Sequence, residues 1–389
     1  MTAGGNARAQ SLPWNLVALD DVAARGSGHT PNKKREDYWN GSIPWVSLKD
    51  TFRLDQGLVS KTTETITRMG LANSSAVVHP MGSVILLRDA GIGKSAVLGA
   101  DMAVSQHFMA WSCGPRLDNW YLYYYLQYVK PELERISNGS TIKTIGLEYF
   151  RQLEIPLPAT EEQHLIAEAL RGIDDLIVTL ERMRAKKREI KQGVMQQLLT
   201  GRTRLPGFAE PWELKRIGDL LAYEQPGRYL VSSTEYSDVG TPVLTAGKTF
   251  ILGRTTERCG IYNAVPVIIF DDFTTASKLV TFPFKAKSSA MKILSARSGV
   301  NLRFAYERMQ LIDYSVVDHK RRWIAEYSKI EVEVPDDVEQ RAIASVLDDV
   351  DAEVNKLEAR LAKVRAVKTG LMQQLLTGRT RLPTKVSAG

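Results

Sequence analysis

Cysteine is nearly absent from this chain. Cys113 and Cys259 are the only two in 389 residues, too few and too far apart for a structural zinc site, and they fit a reducing compartment. No stretch approaches the roughly 18 apolar residues that span a bilayer. The N-terminal MTAGGNARAQ lacks the apolar core of a secretory signal. A soluble, intracellular, cytoplasmic protein with no membrane partner is therefore expected. The histidines at positions 29, 79, 107, 164 and 319 fall at no metal-ligand spacing. Gly91-Ile92-Gly93-Lys94-Ser95 invites a nucleotide-binding reading, but a P-loop needs glycine where Arg88 stands. A turn between two strands with a basic tip is expected there instead. Asp271-Asp272 follows a strand without the Glu-x-Lys companion of a metal-dependent nuclease.

What is present is charge and repetition. The formal net charge is +7, which leans towards a polyanionic partner. With 44% hydrophobic and 24% charged residues the composition is that of a globular chain, and the length allows two or three domains. Residues 193–206 read GVMQQLLTGRTRLP and residues 370–383 read GLMQQLLTGRTRLP, a single difference at an offset of 177. The match extends upstream, so that Leu153–Pro206 lies over Ile330–Pro383 with about half of the pairs identical. Such a period is too long for a solenoid. Two copies of a domain-plus-helix unit are the reading.

The chain divides accordingly into a first globular domain (1–152, with 1–10 a disordered tail), a helical region (153–206), a second globular domain (207–329), and a second helical region with its tail (330–389). In the first domain, Ile43–Val46, Ser83–Leu87 and Ala96–Leu98 read as strands. Asn119–Val129, rich in tyrosine, reads as a helix with its aromatic face in the core. Thr160 as N-cap with Gln163 at N3 opens a helix reaching Leu199, and Asp337 with Gln340 opens its copy, reaching Leu376. In the second helix Ile343, Leu347, Val350, Val354, Leu357, Leu361, Val364, Leu371 and Leu375 form an apolar seam interrupted at Lys368. The seam of the first runs from Ile166 to Leu180, meets Arg184, Lys187 and Lys191, and resumes at Val194. Each stripe needs a partner, and the other copy is the nearest. Chain order makes the pair antiparallel about a pseudo-two-fold axis. At 1.5 Å per residue each rod is roughly 58 Å long, between one and two turns of duplex DNA. Pro211-Trp212-Glu213-Leu214 echoes Pro13-Trp14-Asn15-Leu16, but beyond those entrances the two globular interiors share little, and Leu244–Leu252 has no counterpart in the first. One frame carrying two inserts suggests two recognition tasks.

In this arrangement the sequence resembles the specificity subunits of type I restriction-modification enzymes. The likeness rests on Gly139–Pro158 leading into the first helix, on the EQ…QQLLTG pattern of each helix, on IPWVSLKD (Ile43–Asp50) and Gly82–Leu98 in the first domain, and on Leu244–Gly253 and Pro266–Leu294 in the second. The fold this implies is α+β, two mixed α/β target recognition domains separated by two long antiparallel helices in a coiled coil. Each domain would read one half of a bipartite, asymmetric site in double-stranded DNA. The helices would set the spacer and dock two methyltransferase (M) subunits, with restriction (R) subunits outside. S-adenosylmethionine would belong to the M subunits, which methylate adenine N6, and ATP and Mg to the R subunits. This chain would bind no cofactor and no metal and would be no enzyme. The missing Asn/Asp-Pro-Pro-aromatic motif of amino-methyltransferases agrees. An interaction scaffold without a DNA role, or a self-sufficient modifying enzyme, are the alternatives.

Phosphate contacts are expected from basic loops and base contacts from polar side chains between them. The first-domain candidates are Lys33, Lys34, Arg35, Lys49, Arg88, Lys94 and Ser95, with Asn138, Ser140 and Lys143 in the 137–143 loop. Those of the second domain are Lys248, Arg254, Lys278, Lys285, Lys287 and Ser288. Asp271 and Asp272 would shape a loop or accept from a cytosine amino group. The basic run 182–191 would be a solvated face or a docking surface. Gln196, Gln197, Gln373 and Gln374 are the partner-docking candidates.

Overall fold

A computed structural model describes residues 13–137, 144–247, 249–314 and 321–383. The expected N-terminal tail, the end of the C-terminal one, and Asn138, Ser140, Lys143, Lys248 and His319 lie outside them. The chain gathers into two compact units, Met1–Leu180 with Arg360–Gly389, and Glu181–Ala359. Both boundaries fall inside long helices, so the units cut across the four-part division read from the sequence.

In the first unit a five-stranded sheet runs in the order Ala23–Ser27, Phe108–Cys113, Val84–Leu87, Ser95–Leu98, Leu58–Val59. Val84–Leu87 is buried along its whole length, as an uninterrupted apolar run requires. A second sheet has the order Glu64–Ile66, Trp39–Val46, Met102–Val104, Val78–His79. Helix α1 (Asn119–Ile136) is capped by the Asp118 side chain, which accepts from Tyr121 N. It packs on the larger sheet and buries Tyr121, Tyr123, Tyr124 and Tyr125 around Trp111. The expected tyrosine face is therefore core. Gly91 and Gly93, both at positive φ, shape the turn between the antiparallel strands Val84–Leu87 and Ser95–Leu98.

The second unit repeats this plan. Its larger sheet runs Leu221–Glu224, Met291–Ala296, Val267–Asp271, Ser277–Val280, and its smaller one Ile251–Thr255, Thr241–Leu244, Lys285–Ala286. The one parallel pairing of the smaller sheet, Val243–Leu244 with Lys285–Ala286, matches that of Trp45–Val46 with Ala103–Val104 in the first unit. The antiparallel neighbour carries a register shift in both. Even the next amide repeats, Ser105 N–H donating to Val46 O and Lys287 N–H to Leu244 O. The expectation that Leu244–Leu252 has no counterpart is corrected at Leu244. Leu244 stands where Val46 stands, because strands conserve burial and register and tolerate many apolar side chains.

Helices α2 (Thr160–Leu198) and α4 (Asp337–Leu375), with α3 (Leu302–Gln310) between them, complete the frame. The caps sit one residue earlier than the sequence implied. Asp336, not Asp337, accepts from Glu339 N at 2.8 Å, and its equivalent Ala159 has no capping side chain. Gln163 and Gln340 instead tie each helix start to its own domain. Their Nε2 groups donate to Pro158 O and Pro335 O, both at 2.9 Å. Their Oε1 atoms accept from Asp118 N and Asn301 N, the N-caps of α1 and α3.

Both long helices stop the same way, with Gly201 and Gly378 at φ +69, in the left-handed region that favours glycine. A Cβ on Gly201 would meet Trp212 at 3.5 Å, but one on Gly378 would lie 2.2 Å from Pro13. Gly201→Ala should therefore cost only backbone strain, about 1–2 kcal/mol, and Gly378→Ala roughly 1–3 kcal/mol more for the overlap. Equal losses in thermal denaturation would contradict this packing.

Candidate nucleic-acid interface and the repeated clasp

Each unit closes on one arrangement of charged and aromatic groups. In the second, Arg204 donates to both oxygens of Glu339 at 2.6 Å, and its guanidinium lies over Trp212. In the first, Arg381 grips Glu162 at 2.6 and 2.7 Å and lies over Trp14. These are equivalent residues at the offset of 177. Both glutamates are buried, and the hydrogen bond to its carboxylate raises each arginine above its ordinary value. The tryptophans of the two Pro-Trp entrances are thus clasp residues. A second pair repeats as well, Lys191 to Asp351 at 2.5 Å and Lys368 to Asp174 at 2.6 Å. In both units the partner number falls as the other rises, so the helices run antiparallel. Lys368, which broke the seam in sequence, lies over the Tyr124 ring, while Tyr124 Oη donates to Asp174 at 2.8 Å. Burial first, and then Asp174, push that phenol above its ordinary value.

Half of the basic run of α2, three of its six cations, is paired inside the second unit. Lys187 meets Glu353, Arg188 meets Glu358, and Lys191 meets Asp351. At Lys187 and Lys191 the seam thus continues through ion pairs where apolar residues stop. Gln196, Gln197, Gln373 and Gln374 all stay exposed. Gly193 and Gly370 precede them by one turn, and a Cβ on either would meet nothing within 4 Å.

The loop candidates separate into two groups. Lys33, Lys34, Lys278 and Ser288 are exposed, and the first three ammonium groups have no ion-pair partner among the described residues. Arg35 is exposed but bidentate on Asp37, Lys49 pairs with Glu64, and Arg254 donates to Gly240 O. Lys287 lies over the Tyr236 ring. The others serve the fold. Arg88 donates to Gln106 O and Ile145 O, and Lys94 reaches Thr51 O. Ser95 is fully buried and accepts from Gln127. Lys285 is 3% exposed and held by Glu257 and Cys259 O. Asp272 is 2% exposed, pairs with the equally buried Lys292, and accepts from Arg322 N and Trp323 N. Ser95 and Lys285 are enclosed by the fold, a correction to their reading as contacts, and Asp272 takes the structural one of its two expected roles. Asp271 shapes its loop by accepting from Phe273 N and Thr274 N. Among the described residues no group of three or more His, Cys, Asp and Glu could hold a metal, and no helix is long and apolar enough to cross a membrane. Burial pushes the Cys113 thiol up to about 12, which leaves it protonated and unreactive.

Two like-folded modules, each closed by the same helix clasp and differing in their loops, define a two-module architecture. Known proteins share the plan. The S subunit of a type I restriction-modification system from M. genitalium has a TM-score of 0.59 at 16% identity, over 94% of this chain and 96% of that one, a likeness of fold. Residues 12–192 match the type I restriction modification DNA specificity domain. The EcoR124I/EcoR124II specificity subunit of Escherichia coli is 47% identical over 159 residues, 37% of this chain and only 39% of that relative. The MjaIX specificity subunit of Methanocaldococcus jannaschii is 28% identical over 80% of this chain and 74% of its own. The chain is thus similar to type I restriction enzyme specificity subunits, through residues 12–192 by the specificity-domain match and over 80% of its length to the M. jannaschii relative.

Proposed function

We propose that each unit reads one half of a bipartite, asymmetric site in double-stranded DNA, while α2 and α4 set the spacer and dock two methyltransferase subunits. One observation carries this reading. The two units share the order of their central strands and, residue for residue, the clasp, yet their loops differ, which is what one frame serving two recognition tasks requires. The exposed glutamine pairs recur with the frame, as a docking face used twice would. In this reading the chain is non-catalytic and cytoplasmic. S-adenosylmethionine belongs to the methyltransferase subunits, and ATP and Mg to restriction subunits.

Lys33 and Lys34 supply the test. Each phosphate contact contributes about −0.9 to the slope of log K against log salt on B-DNA. The Lys33→Ala, Lys34→Ala double variant of the full chain, assembled with its methyltransferase subunits, should bind target duplex more weakly with a slope shallower by about 1.8. Unchanged affinity and slope would remove this loop from the interface, and salt-independent binding by the parent would remove DNA.

A further inference from the structure

Gln106 carries no motif and no charge, yet both ends of its exposed side-chain amide meet a neighbouring side chain. It follows Met102–Val104 and leads directly into Phe108–Cys113. Its Oε1 accepts from Thr30 Oγ1 at 2.6 Å, and its Nε2 stands 3.5 Å from His107 Nε2. His107 Nδ1 in turn lies 2.7 Å from Asp89 Oδ1. Asp89 follows one strand, Thr30 another, and Gln106 with His107 precede a third. Three loops thus converge to hold one amide. Exposed glutamine side chains ordinarily sample several rotamers, and fixing one costs entropy. Here that cost is met before any ligand arrives, which is the condition for preorganised recognition.

The network also fixes which way the amide points. His107 Nδ1 is turned to Asp89, and the amide nitrogen of Gln106 stands on the side of His107 Nε2. The carbonyl then faces the Thr30 hydroxyl. One N–H and one carbonyl lone pair remain side by side on the open edge. In the major groove adenine offers the complement, acceptor N7 beside donor N6–H₂. Guanine offers two acceptors, cytosine a donor alone, and thymine an acceptor beside a methyl group.

We propose that Gln106, oriented by Thr30, His107 and Asp89, reads an adenine in the half-site of the first unit. This rests on the reading of that unit as a DNA recognition domain. Lys33 and Lys34 lie three and four residues beyond Thr30 in the same loop, so phosphate contacts would flank the reader. The shared topology places Ser288 where Gln106 stands, since Ser105 and Lys287 make the same backbone bond one residue earlier. Among the described residues Ser288 has no such network, and its Oγ accepts from Ala290 N. The same position thus carries different chemistry in the two units, as an asymmetric site demands.

Selection of a randomised duplex DNA pool by the full-length protein tests this. The parent should enrich a bipartite motif with an adenine required at one position of one half. Gln106→Ala should relax that position alone, by roughly 5- to 150-fold, with melting temperature unchanged. Thr30→Val should relax the same position to a smaller degree. An unaltered motif from Gln106→Ala would overturn the proposal, as would relaxation spread over every position or a Thr30→Val effect at a different one. A parent that enriches no motif would instead overturn the DNA reading, and this assignment with it.

Discussion

Asp272→Ala should unfold the second unit at denaturant concentrations the parent tolerates, with a loss of about 3–5 kcal/mol. The carboxylate and the Lys292 ammonium are each 2% exposed and 3.1 Å apart, so neither is solvated. Asp272 Oδ1 also accepts from Arg322 N at 3.0 Å and Trp323 N at 2.8 Å, joining the strand that ends at Asp271 to the segment before Ile330. Alanine leaves a buried cation without a counter-charge and two backbone donors without an acceptor. Replacing both members of a buried pair by apolar groups is often neutral. Lys292→Met added to the alanine variant should therefore recover part of the loss, and the two N–H groups would account for the remainder. Urea denaturation decides the matter. A single-variant loss under 1 kcal/mol would mean that water reaches the pair.

The clasp gives the second large effect. Arg204→Ala should cost the second unit about 2–4 kcal/mol, because Glu339 is buried and bound at both oxygens. The indole N–H of Trp212, 3.1 Å from Glu339 Oε2, keeps the carboxylate from being wholly unpartnered. Arg381→Ala removes the equivalent group from the first unit, but the Arg381 side chain is 53% exposed against 25% for Arg204. Water can enter there, and a smaller loss of about 1–2 kcal/mol is expected. Comparing the two variants in one denaturation series checks the order. A reversed order would mean that exposure does not govern these bonds.

How much of this was legible in the sequence depends on what repeats. Glu162, Gln163, Asp174, Lys191 and Arg204 recur at Glu339, Gln340, Asp351, Lys368 and Arg381, and charged partners repeated in register imply a repeated contact. The antiparallel sense of the helices followed from chain order. The common topology of the two globular interiors did not, because Val46 and Leu244, or Val104 and Ala286, satisfy one burial requirement with different side chains. The site was less legible. Lys285 and Lys278 look alike in sequence, yet one is buried on Glu257 and the other faces solvent, a distinction that pleat and register decide. Gln106 gave no signal at all, since its constraint comes from Thr30 and Asp89, distant in the chain.

The corner at which each long helix meets a Pro-Trp entrance has one more consequence. In the second unit that corner is continuous chain, from Arg204 through Pro206 to Trp212. In the first it brings Arg381 and Gly378 against Trp14 and Pro13, residues from opposite regions of the polypeptide. The same ion pair, the same ring contact and the same left-handed glycine form in both places. The peptide linkage across the corner is therefore incidental to its shape. A nick in the second corner would leave it resembling the first, held by its side chains alone.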